Sequence, residues 1–385
     1  MKKLCFLFVI PMLFSSFLLS GCSKKNETGS NLIISEVVEG SGTNKAVEIY
    51  NLSDEKIDLS SYKLVISLNA ELSYEIELDG ELDPNSTYLV ANLSAEQELF
   101  SKADLVSEYL IFNGSQTIEL KRGSKLLDIV GVKGYYSVNW YKDVTLTRKS
   151  EYLIGRKTFD EYDWIRYNED NYSYLKSIEV SITEKELLEG PKLTEDDYSA
   201  LFSYTPSTGG DRLGGGGVTL VMVSSYVDGD TTFFNFLEEE ASDAEIPNVS
   251  KVRYQNIDTP ESYTGNIQEF GLVAKDYTRN ELRKAGMIYI QSLKNGPLFE
   301  TFDRVLGWVW ADGKLMNHKI VKAGYSYVAF GSIDNMLYKD VSYTNFLYDA
   351  MLYAQKNKLG LHGEVDPYWD YDNNCVKPGN QGSEK

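Results

Sequence analysis

The sequence predicts a mostly β protein with two domains, a β-sandwich followed by an α+β barrel with added helices. Its 385 residues include 28 tyrosines, and 13% of the chain is aromatic, which favours the pleated faces of strands. Short runs of alternating polar and apolar residues fill the first half, and three strand-like runs precede any helical pattern in the second half. At roughly 150 residues per domain, the length leaves room for two to three domains.

Charge and histidine content exclude several classes of function. The chain has 38 Lys and Arg against 57 Asp and Glu, a formal net charge of −19. It therefore cannot hold nucleic acid through a general basic surface, and any such binding must be local. With two histidines, His318 and His362, a serine triad or a histidine-rich zinc site is disfavoured. Catalysis would use carboxylates and arginines, and His318 suits a surface or packing position better than a ligand position.

The N-terminus has the features of an export signal. Two lysines precede the apolar stretch 4–19, which is too short for a membrane-spanning helix. The sequence LLSGC, which ends at Cys22, resembles a bacterial lipobox. We therefore expect a lipoprotein signal peptide over residues 1–21, lipidation of Cys22, a polar tether over residues 22–30 and a location at the outer face of the bacterial membrane. The alternative is a plain secretory signal with an incidental cysteine.

Residues 31–190 are predicted to form the sandwich. Runs such as LIISEVVEG, KAVEIYN and STYLVAN recur at close spacing between turn residues. VEIYN at 47–51, FNG at 112–114 and TLTR at 145–148 resemble the habits of the lamin-tail domain, an immunoglobulin-like module. The resemblance implies a binding or spacing module whose ligand is unknown. Residues 151–190 keep strand-like pieces that suit the edge of the sandwich.

Two features of this half of the chain are predicted to carry no chemistry. Glu36 and Glu48 could be imagined as a metal pair, but strand alternation favours solvent-facing positions for both. Residues 191–217 replace periodic sequence with turn formers and end in four glycines. A phosphate-binding loop would need Lys followed directly by Ser or Thr after the glycines, and this pair is not present. A flexible linker is therefore the preferred interpretation.

Residues 218–365 are predicted to form the second domain, followed by a tail over residues 366–385. Three strands come first, then a helix from about 268 to 285, further strands, a short helix and a last helix from about 343 to 358. Five strands with interspersed helices suit an OB-fold barrel with added helices. That architecture alone fixes no function.

Charged residues gather at the predicted strand ends of this domain. A DGDT turn contains Asp230, and a DTPE segment contains Asp258 and Glu261. Arg253 lies five residues before Asp258, and Arg304 lies seven residues before an ADGK turn. Each motif is weak alone, because Asp-Gly and Asp-Thr-Pro are common turn sequences. Their combined spacing resembles the staphylococcal-nuclease-like, or thermonuclease, family.

The resemblance implies a role for each group. Two carboxylates and a carbonyl form a hard oxygen site that suits Ca²⁺, and arginine forks fit phosphate better than lysine does. The family implies Ca²⁺-dependent attack of water on the phosphodiester bonds of DNA and RNA. The implied roles are metal ligation by Asp230, Asp258 and the Thr259 carbonyl, general-base catalysis by Glu261, and phosphate binding by Arg253 and Arg304.

The sequence also departs from the family pattern. The hairpin after the DGDT turn is long and carries an acidic run from Glu238 to Glu245, which we expect to be a solvated loop. Two less favoured alternatives are that this run binds a second cation, or that its negative charge repels some substrates and so narrows substrate choice. Phe302 and Phe330 stand where the family has tyrosines, so stacking on a nucleotide is expected to persist without the hydroxyl contacts. Asp303 could pair with the adjacent Arg304 and weaken its hold on phosphate.

These expectations combine into an exported, lipid-anchored nuclease in which a sandwich domain holds a Ca²⁺-dependent barrel beyond the membrane. The alternative is a surface binding or adhesion protein with a degenerate nuclease barrel. The sequence leaves open the preference between DNA and RNA, the ligand of the first domain and the oligomeric state.

Overall fold

The computed structural model describes residues 29–204, 212–237, 246–263, 265–300, 302–329 and 336–380. Cys22 and the signal peptide, the acidic run from Glu238 to Glu245, and Phe330 lie outside these residues. Within them, the fold is mostly β and divides into the two predicted domains. No helix in the described part of the chain is both long and apolar enough to cross a membrane.

The first domain is a sandwich of two mainly antiparallel sheets. Its strands are β1 (Leu32–Glu39), β2 (Lys45–Asn51), β3 (Ile57–Asp58), β4 (Tyr62–Ser67), β5 (Ser73–Glu77), β6 (Glu81–Leu82), β7 (Thr87–Asn92), β8 (Leu105–Ser107), β9 (Thr117–Arg122), β10 (Lys125–Val130), β11 (Val144–Arg148) and β12 (Trp164–Asn168). One sheet has the order β12-β11-β1-β2-β7-β8 and the other β10-β9-β4-β5. The apolar side chains that alternate along these strands meet between the sheets, and the buried core includes Ile34, Val47, Leu64, Leu120 and Leu146.

The outer face of the six-stranded sheet is covered by further chain. The helix Gln97–Lys102 and residues 172–175 pack on it through a cluster that includes Leu89. Glu36 and Glu48 lie opposite each other on β1 and β2 and are 1% and 0% exposed. The prediction that they face solvent is therefore wrong. Alternation places both on one face, but that face lies under another layer.

Of residues 151–190, the strand β12 lies at the edge of the sandwich, as expected. β12 pairs antiparallel with β11 along five residues, from Val144 to Arg148. The Arg148 guanidinium is buried, donates to the Asp128 carboxylate at 2.6 Å and lies 4.1 Å from the ring centre of Trp164. A buried arginine needs such partners, so this contact holds β12 against the sandwich.

The second domain is a closed barrel with helices around it. Its strands are β13 (Ser203–Tyr204), β14 (Leu213–Gly215), β15 (Val218–Tyr226), β16 (Thr231–Phe236), β17 (Val249–Tyr254), β18 (Ile257–Asp258), β19 (Ile288–Gln291), β20 (Lys294–Pro297), β21 (Val305–Ala311), β22 (Lys314–Leu315), β23 (Tyr327–Val328), β24 (Leu337–Tyr338), β25 (Val341–Ser342), β26 (Trp369–Asp370) and β27 (Cys375–Val376). The main sheet has the order β17-β16-β15-β19-β21-β22, and a parallel pairing of β17 with β21 closes it. This confirms the predicted barrel.

The three helices predicted for the second domain are present at the predicted positions. The last one begins after Ser342, whose hydroxyl accepts the backbone N–H of Asn345 at 3.1 Å and so satisfies one free donor of the first turn. The described chain beyond residue 365 forms the β26–β27 hairpin. The α-helices are Gln97–Lys102, Glu184–Glu189, Glu195–Ser199, Gly271–Lys284, Met316–Lys322 and Tyr343–Lys356, and the 3₁₀ helices are Leu59–Ser61, Ser150–Tyr152, Glu161–Asp163 and Gly360–His362.

The glycine run forms part of a three-stranded sheet of the second domain, beside the barrel sheet. β14 pairs with β13 on one side and with β20 on the other, and Phe202, which is fully buried, joins the barrel core. A Cβ on Gly214 would lie 2.2 Å from the carbonyl oxygen of Leu293, so only glycine fits at this close approach. The expectation of a flexible linker is therefore wrong for the part of 191–217 that the structure describes.

The two domains share a buried interface on the helix Tyr343–Lys356. Lys149 of the first domain is 1% exposed at its side chain and pairs with Asp349 at 2.7 Å. Tyr167 of β12 lies in one apolar cluster with Phe346 of the helix. Since a buried ion pair has strict geometry, these contacts fix the orientation of one domain on the other.

Candidate active site

The turn that carries Asp230 is fixed by the helix Gly271–Lys284. A Cβ on Gly229 would lie 2.8 Å from the Cβ of Ala274, so the turn touches the helix only because this position is glycine. The Thr278 hydroxyl donates to the Gly229 carbonyl at 2.6 Å. The helix therefore sets where Asp230 stands at the start of β16.

Asp230 is 4% exposed, and both oxygens of its carboxylate have hydrogen-bond or ion-pair partners. Oδ2 accepts the backbone N–H of Thr259 at 2.6 Å and its hydroxyl at 3.0 Å. Oδ1 accepts the Thr231 hydroxyl at 3.0 Å and pairs with Arg253. Thr259, predicted as a carbonyl ligand, thus lies directly against a predicted metal carboxylate.

Arg253 stands between the two predicted metal carboxylates. It lies opposite Thr231 in the β16–β17 ladder, and one guanidinium nitrogen pairs with Asp230. The other donates to Asp258 at 2.8 Å. Asp230 and Asp258 therefore converge on a single cationic group.

Glu261 follows Asp258 on a segment held by backbone contacts. Its N–H donates to the side-chain oxygen of Gln268 at 3.0 Å, and its carbonyl accepts the N–H of the same residue at 2.9 Å. A Cβ on Gly271 would lie 2.0 Å from that carbonyl oxygen, so the helix starts this close only with glycine. Burial and then repulsion from Asp230 and Asp258 raise the pKa of the Glu261 carboxyl, which makes it a stronger base.

Arg304 precedes β21 and is half-buried. Its acidic partner is Glu300, and the hydrogen bond from Arg304 lowers the pKa of Glu300. Among the described residues Arg304 forms no ion pair with Asp303, so the pairing that the sequence allowed is not formed. Asp303 takes a left-handed φ of 56° in the turn. Phe302 is 77% exposed and its ring centre lies 5.8 Å from the Arg304 guanidinium.

One cavity of about 360 Å³ brings the predicted catalytic groups together. Sequence reasoning missed five of its lining residues, three of which are titratable. The signals were available for two: Asp228 is the first acid of the DGDT turn, and Lys251 lies two residues before Arg253 on the same strand face. Tyr263 carried no such signal. The lining residues are Val227, Asp228, Asp230, Thr231, Lys251, Arg253, Asp258, Glu261, Tyr263 and Arg304.

Comparison with known families identifies both domains. Residues 25–134 match the model of the family described as Lamin Tail Domain, and residues 251–363 match that of Staphylococcal nuclease homologue. The chain joins a lamin tail domain to a staphylococcal nuclease homologue domain. The second match covers Arg253, Asp258, Glu261 and Arg304, whereas Asp230 precedes it. A search of curated proteins gives no match to this chain.

The cavity of the nuclease homologue domain has an excess of carboxylates. Burial and then repulsion from Asp230 raise the pKa of Asp228 to about 7. Asp258 and Glu261 bring the acids to four, against three basic side chains, so a bound cation would relieve their repulsion.

The predicted metal ligands are oxygen atoms, which are the ligands that a hard cation such as Ca²⁺ prefers. Asp230 and Asp258 supply carboxylate oxygens that already share one cationic partner, the guanidinium of Arg253. Among the described residues, no three or more His, Cys, Asp or Glu side chains are grouped so as to enclose a metal ion. The predicted set has only two carboxylates, and Arg253 would have to leave at least one of them for a metal to bind both.

His318 of the nuclease homologue domain is a packing residue, as predicted. It is 1% exposed, and its Nε2 lies 3.0 Å from the carbonyl oxygen of Leu187. Burial lowers the pKa of His318 to about 4, so the ring is neutral at physiological pH. The histidine therefore joins residues before the barrel to its helix Met316–Lys322 and takes no part in the cavity.

Proposed function

We propose that the protein is a phosphodiesterase that hydrolyses DNA and RNA. One observation carries the proposal: Glu261, Arg253 and Arg304 line the same cavity as Asp230 and Asp258. A phosphodiester resists hydrolysis because its negative charge repels the nucleophile. An enzyme must therefore neutralise that charge and deprotonate water in the same place, and this cavity holds groups for both tasks.

Glu261 is the proposed general base. Its raised pKa keeps the carboxylate basic enough to accept a proton from water that attacks phosphorus. Arg253 and Arg304 hold the phosphate oxygens through paired hydrogen bonds, which strengthen as charge builds in the transition state. Each arginine must first leave a carboxylate, because Arg253 pairs with Asp230 and Asp258 and Arg304 pairs with Glu300.

Ca²⁺ is the proposed cofactor, held by Asp230, Asp258 and the Thr259 carbonyl. When bound, it supplies Lewis acidity to a phosphate oxygen. The convergence of Asp230 and Asp258 on one cationic group supports this assignment. Phe302, whose ring centre lies 5.8 Å from the Arg304 guanidinium, is proposed to stack on a base, and Phe330 is proposed to do the same.

We further propose that the protein is exported and lipid-anchored through Cys22 at the outer face of the bacterial membrane. The LLSGC sequence that ends at Cys22 supports this proposal. The lamin tail domain would then hold the nuclease domain beyond the membrane, and its own ligand is unknown.

A binding protein with an inactive barrel is the second candidate. The observation that favours it is that carboxylates already occupy both arginines. In that case the cavity would be a structural ion-pair network, and neither arginine would be released to phosphate. This candidate predicts binding without turnover.

Cleavage of labelled single-stranded DNA and RNA by the purified protein in millimolar Ca²⁺ tests the proposal. We expect shortened products that disappear with a Ca²⁺ chelator. Glu261→Gln keeps the size of the side chain and removes the base, so it should lower kcat at least about 100-fold. Glu364→Gln removes an exposed carboxylate that does not line the cavity and is the matched control. If the wild-type protein leaves DNA and RNA intact, the proposal of an enzyme is refuted and the binding protein with an inactive barrel remains.

A further inference from the structure

The C-terminal segment, residues 366–377, contains the hairpin β26–β27 and lies beyond the part of the chain that matches the nuclease homologue family. Asp366 begins this segment and is 1% exposed. Its Oδ2 accepts the backbone N–H of Phe270 at 2.5 Å, and its Oδ1 accepts the N–H of Tyr368 at 2.7 Å. The carboxylate therefore ties the C-terminal segment to the residue that precedes the helix Gly271–Lys284.

Two tyrosines of the C-terminal segment add contacts beside this tie. The Tyr371 hydroxyl accepts the backbone N–H of Asp366 at 2.9 Å and donates to the Glu269 carboxylate at 2.6 Å. The Tyr368 hydroxyl donates to Asp276, in the second turn of the helix, at 3.1 Å. The segment thus contacts the chain on both sides of the helix start.

The helix starts from an unusual backbone conformation. Phe270 has a φ of 63°, a left-handed value that a bulky side chain rarely adopts. Its side chain is 2% exposed, and its ring stacks on that of Tyr325. Such a conformation persists only where its surroundings hold it. The Asp366 carboxylate bonds to the N–H of this residue, so it is one of the groups that fix the direction in which the helix begins.

The residues on either side of Phe270 hold the proposed general base. The side-chain oxygen of Gln268 accepts the N–H of Glu261 at 3.0 Å, and the Gln268 N–H donates to the Glu261 carbonyl at 2.9 Å. A Cβ on Gly271 would lie 2.0 Å from the same carbonyl oxygen. Because Phe270 stands between Gln268 and Gly271, a shift of its backbone moves the residues that contact Glu261.

We propose that Asp366 is a positioning residue of the catalytic cavity, which holds Glu261 in place through the backbone of Phe270. The inference rests on the proposed phosphodiesterase function. It adds a residue that does not line the cavity and lies outside the family match. A general base must stay within hydrogen-bond reach of the water that it deprotonates, and a displacement of about 1 Å can cost about 100-fold in rate.

The positions of the two arginines predict which kinetic constant should change. Arg253 lies on β17 and Arg304 directly precedes β21, so the barrel sheet holds both groups that are proposed to bind phosphate. Glu261, in contrast, is held by the residues beside Phe270. Loss of the Asp366 carboxylate should therefore lower kcat and leave KM nearly unchanged.

Cleavage of single-stranded DNA by full-length variants tests the proposal. Asp366→Ala leaves the Phe270 N–H without this acceptor and should lower kcat about tenfold, with KM changed less than about twofold. Ser342→Ala is the matched control, because it also removes one hydrogen bond at a helix start. Its helix, Tyr343–Lys356, does not line the cavity, so this variant should keep the wild-type kcat.

A double variant separates positioning from a general loss of structure. In the Glu261→Gln background the base is absent, so the addition of Asp366→Ala should lower kcat less than about twofold further. Tyr371→Phe is the milder change, at a residue that is 51% exposed. It removes the acceptor of the Asp366 N–H and should lower kcat about threefold, which keeps the proposal open to refutation if Asp366→Ala does not fold.

Hydrogen exchange gives a readout that does not depend on catalysis. Peptides that contain Glu261 and Gln268 should exchange faster in Asp366→Ala than in the wild type, and at the wild-type rate in Ser342→Ala. The proposal is overturned if Asp366→Ala keeps the wild-type kcat, or if its full loss of kcat persists in the Glu261→Gln background. If the wild-type protein leaves DNA intact, the proposed phosphodiesterase fails, and the exchange rates alone decide whether Asp366 holds Glu261 in place.

Discussion

The buried Glu48 carboxylate should make the lamin tail domain less stable as pH rises. Glu48 is fully buried, and this burial raises its pKa from 4.5 to about 6, although the backbone N–H of Lys176 and the Ser35 hydroxyl donate to it at 2.6 and 2.7 Å. Between these two pKa values the folded chain binds the proton more tightly than the unfolded chain. The free energy of unfolding therefore falls as pH rises through this window.

The magnitude follows from the size of the shift. A shift from 4.5 to about 6 is worth about 2 kcal/mol once the carboxyl is ionised in both states. Between about pH 5 and pH 7.5 the loss comes to about 1 kcal/mol, because part of it has already occurred at the lower pH. Glu36, opposite on β1, has a pKa raised by burial and by repulsion from Glu48, and it adds to the loss in the same direction.

Glu48→Gln isolates this contribution from the other titrating groups. The amide cannot ionise, so it replaces a pH-dependent penalty by a constant cost for the altered hydrogen bonds to Ser35 and Lys176. Urea unfolding of the full chain at about pH 5 and pH 7.5 measures the difference between variant and wild type. That difference should move in favour of the variant by about 1 kcal/mol at the higher pH.

Glu179→Gln is the control, since Glu179 is exposed on the same covering segment and its loss should give no pH-dependent difference. A difference between Glu48→Gln and wild type that stays constant with pH would refute the reasoning. So would a wild-type chain that gains stability over Glu48→Gln as pH rises, because Glu48 would then be stabilised as an ion by its hydrogen bonds.

Three other changes give distinct outcomes. Arg304→Ala should lower kcat at least about 100-fold while the affinity for Ca²⁺ is nearly unchanged. Asp230→Ala should instead raise the Ca²⁺ concentration needed for the half-maximal rate. If steady-state assays show equal and small effects for both variants, the site is misassigned. Cys22→Ser should move the protein from the membrane fraction to the medium with specific activity unchanged, and retention after signal cleavage would contradict lipidation. Lys149→Met should lower the free energy of unfolding by about 3–5 kcal/mol, because it leaves Asp349 buried without its partner. The double variant Lys149→Met, Asp349→Leu should recover much of this loss. If Lys149→Met is as stable as the wild type, the buried pair is not formed.

The strands, and the convergence of the charged groups on one cavity, were predictable because they depend on local pattern. The run VTLVMVSSYV becomes β15, and the acids of DGDT and DTPE meet because strand ends in a small barrel lie close together. Lys251 was within reach of the same reasoning, since residues two apart on a strand share a face with Arg253. Lys251 was not predicted as a site residue because a single lysine belongs to no recognisable motif.

The burial of Glu36 and Glu48 was out of reach of local pattern. Alternation identifies a polar face, but the segment that covers it arrives through Lys176, which is 128 residues from Glu48 along the chain. The prediction of a flexible linker at the glycine run was wrong for a different reason. Glycine is selected both by flexible segments and by close backbone contacts, and Gly214 is there because the carbonyl of Leu293 leaves no room for a Cβ.

The ion pair of Lys149 with Asp349 also means that the two domains move as one body. A catalytic domain on a loose joint samples a wide volume, whereas one locked to its neighbour turns only with the whole body. Here the cavity that contains Asp230 and Arg253 keeps a fixed position relative to the lamin tail domain. A change in the orientation of the nuclease homologue domain therefore requires the lamin tail domain to turn with it.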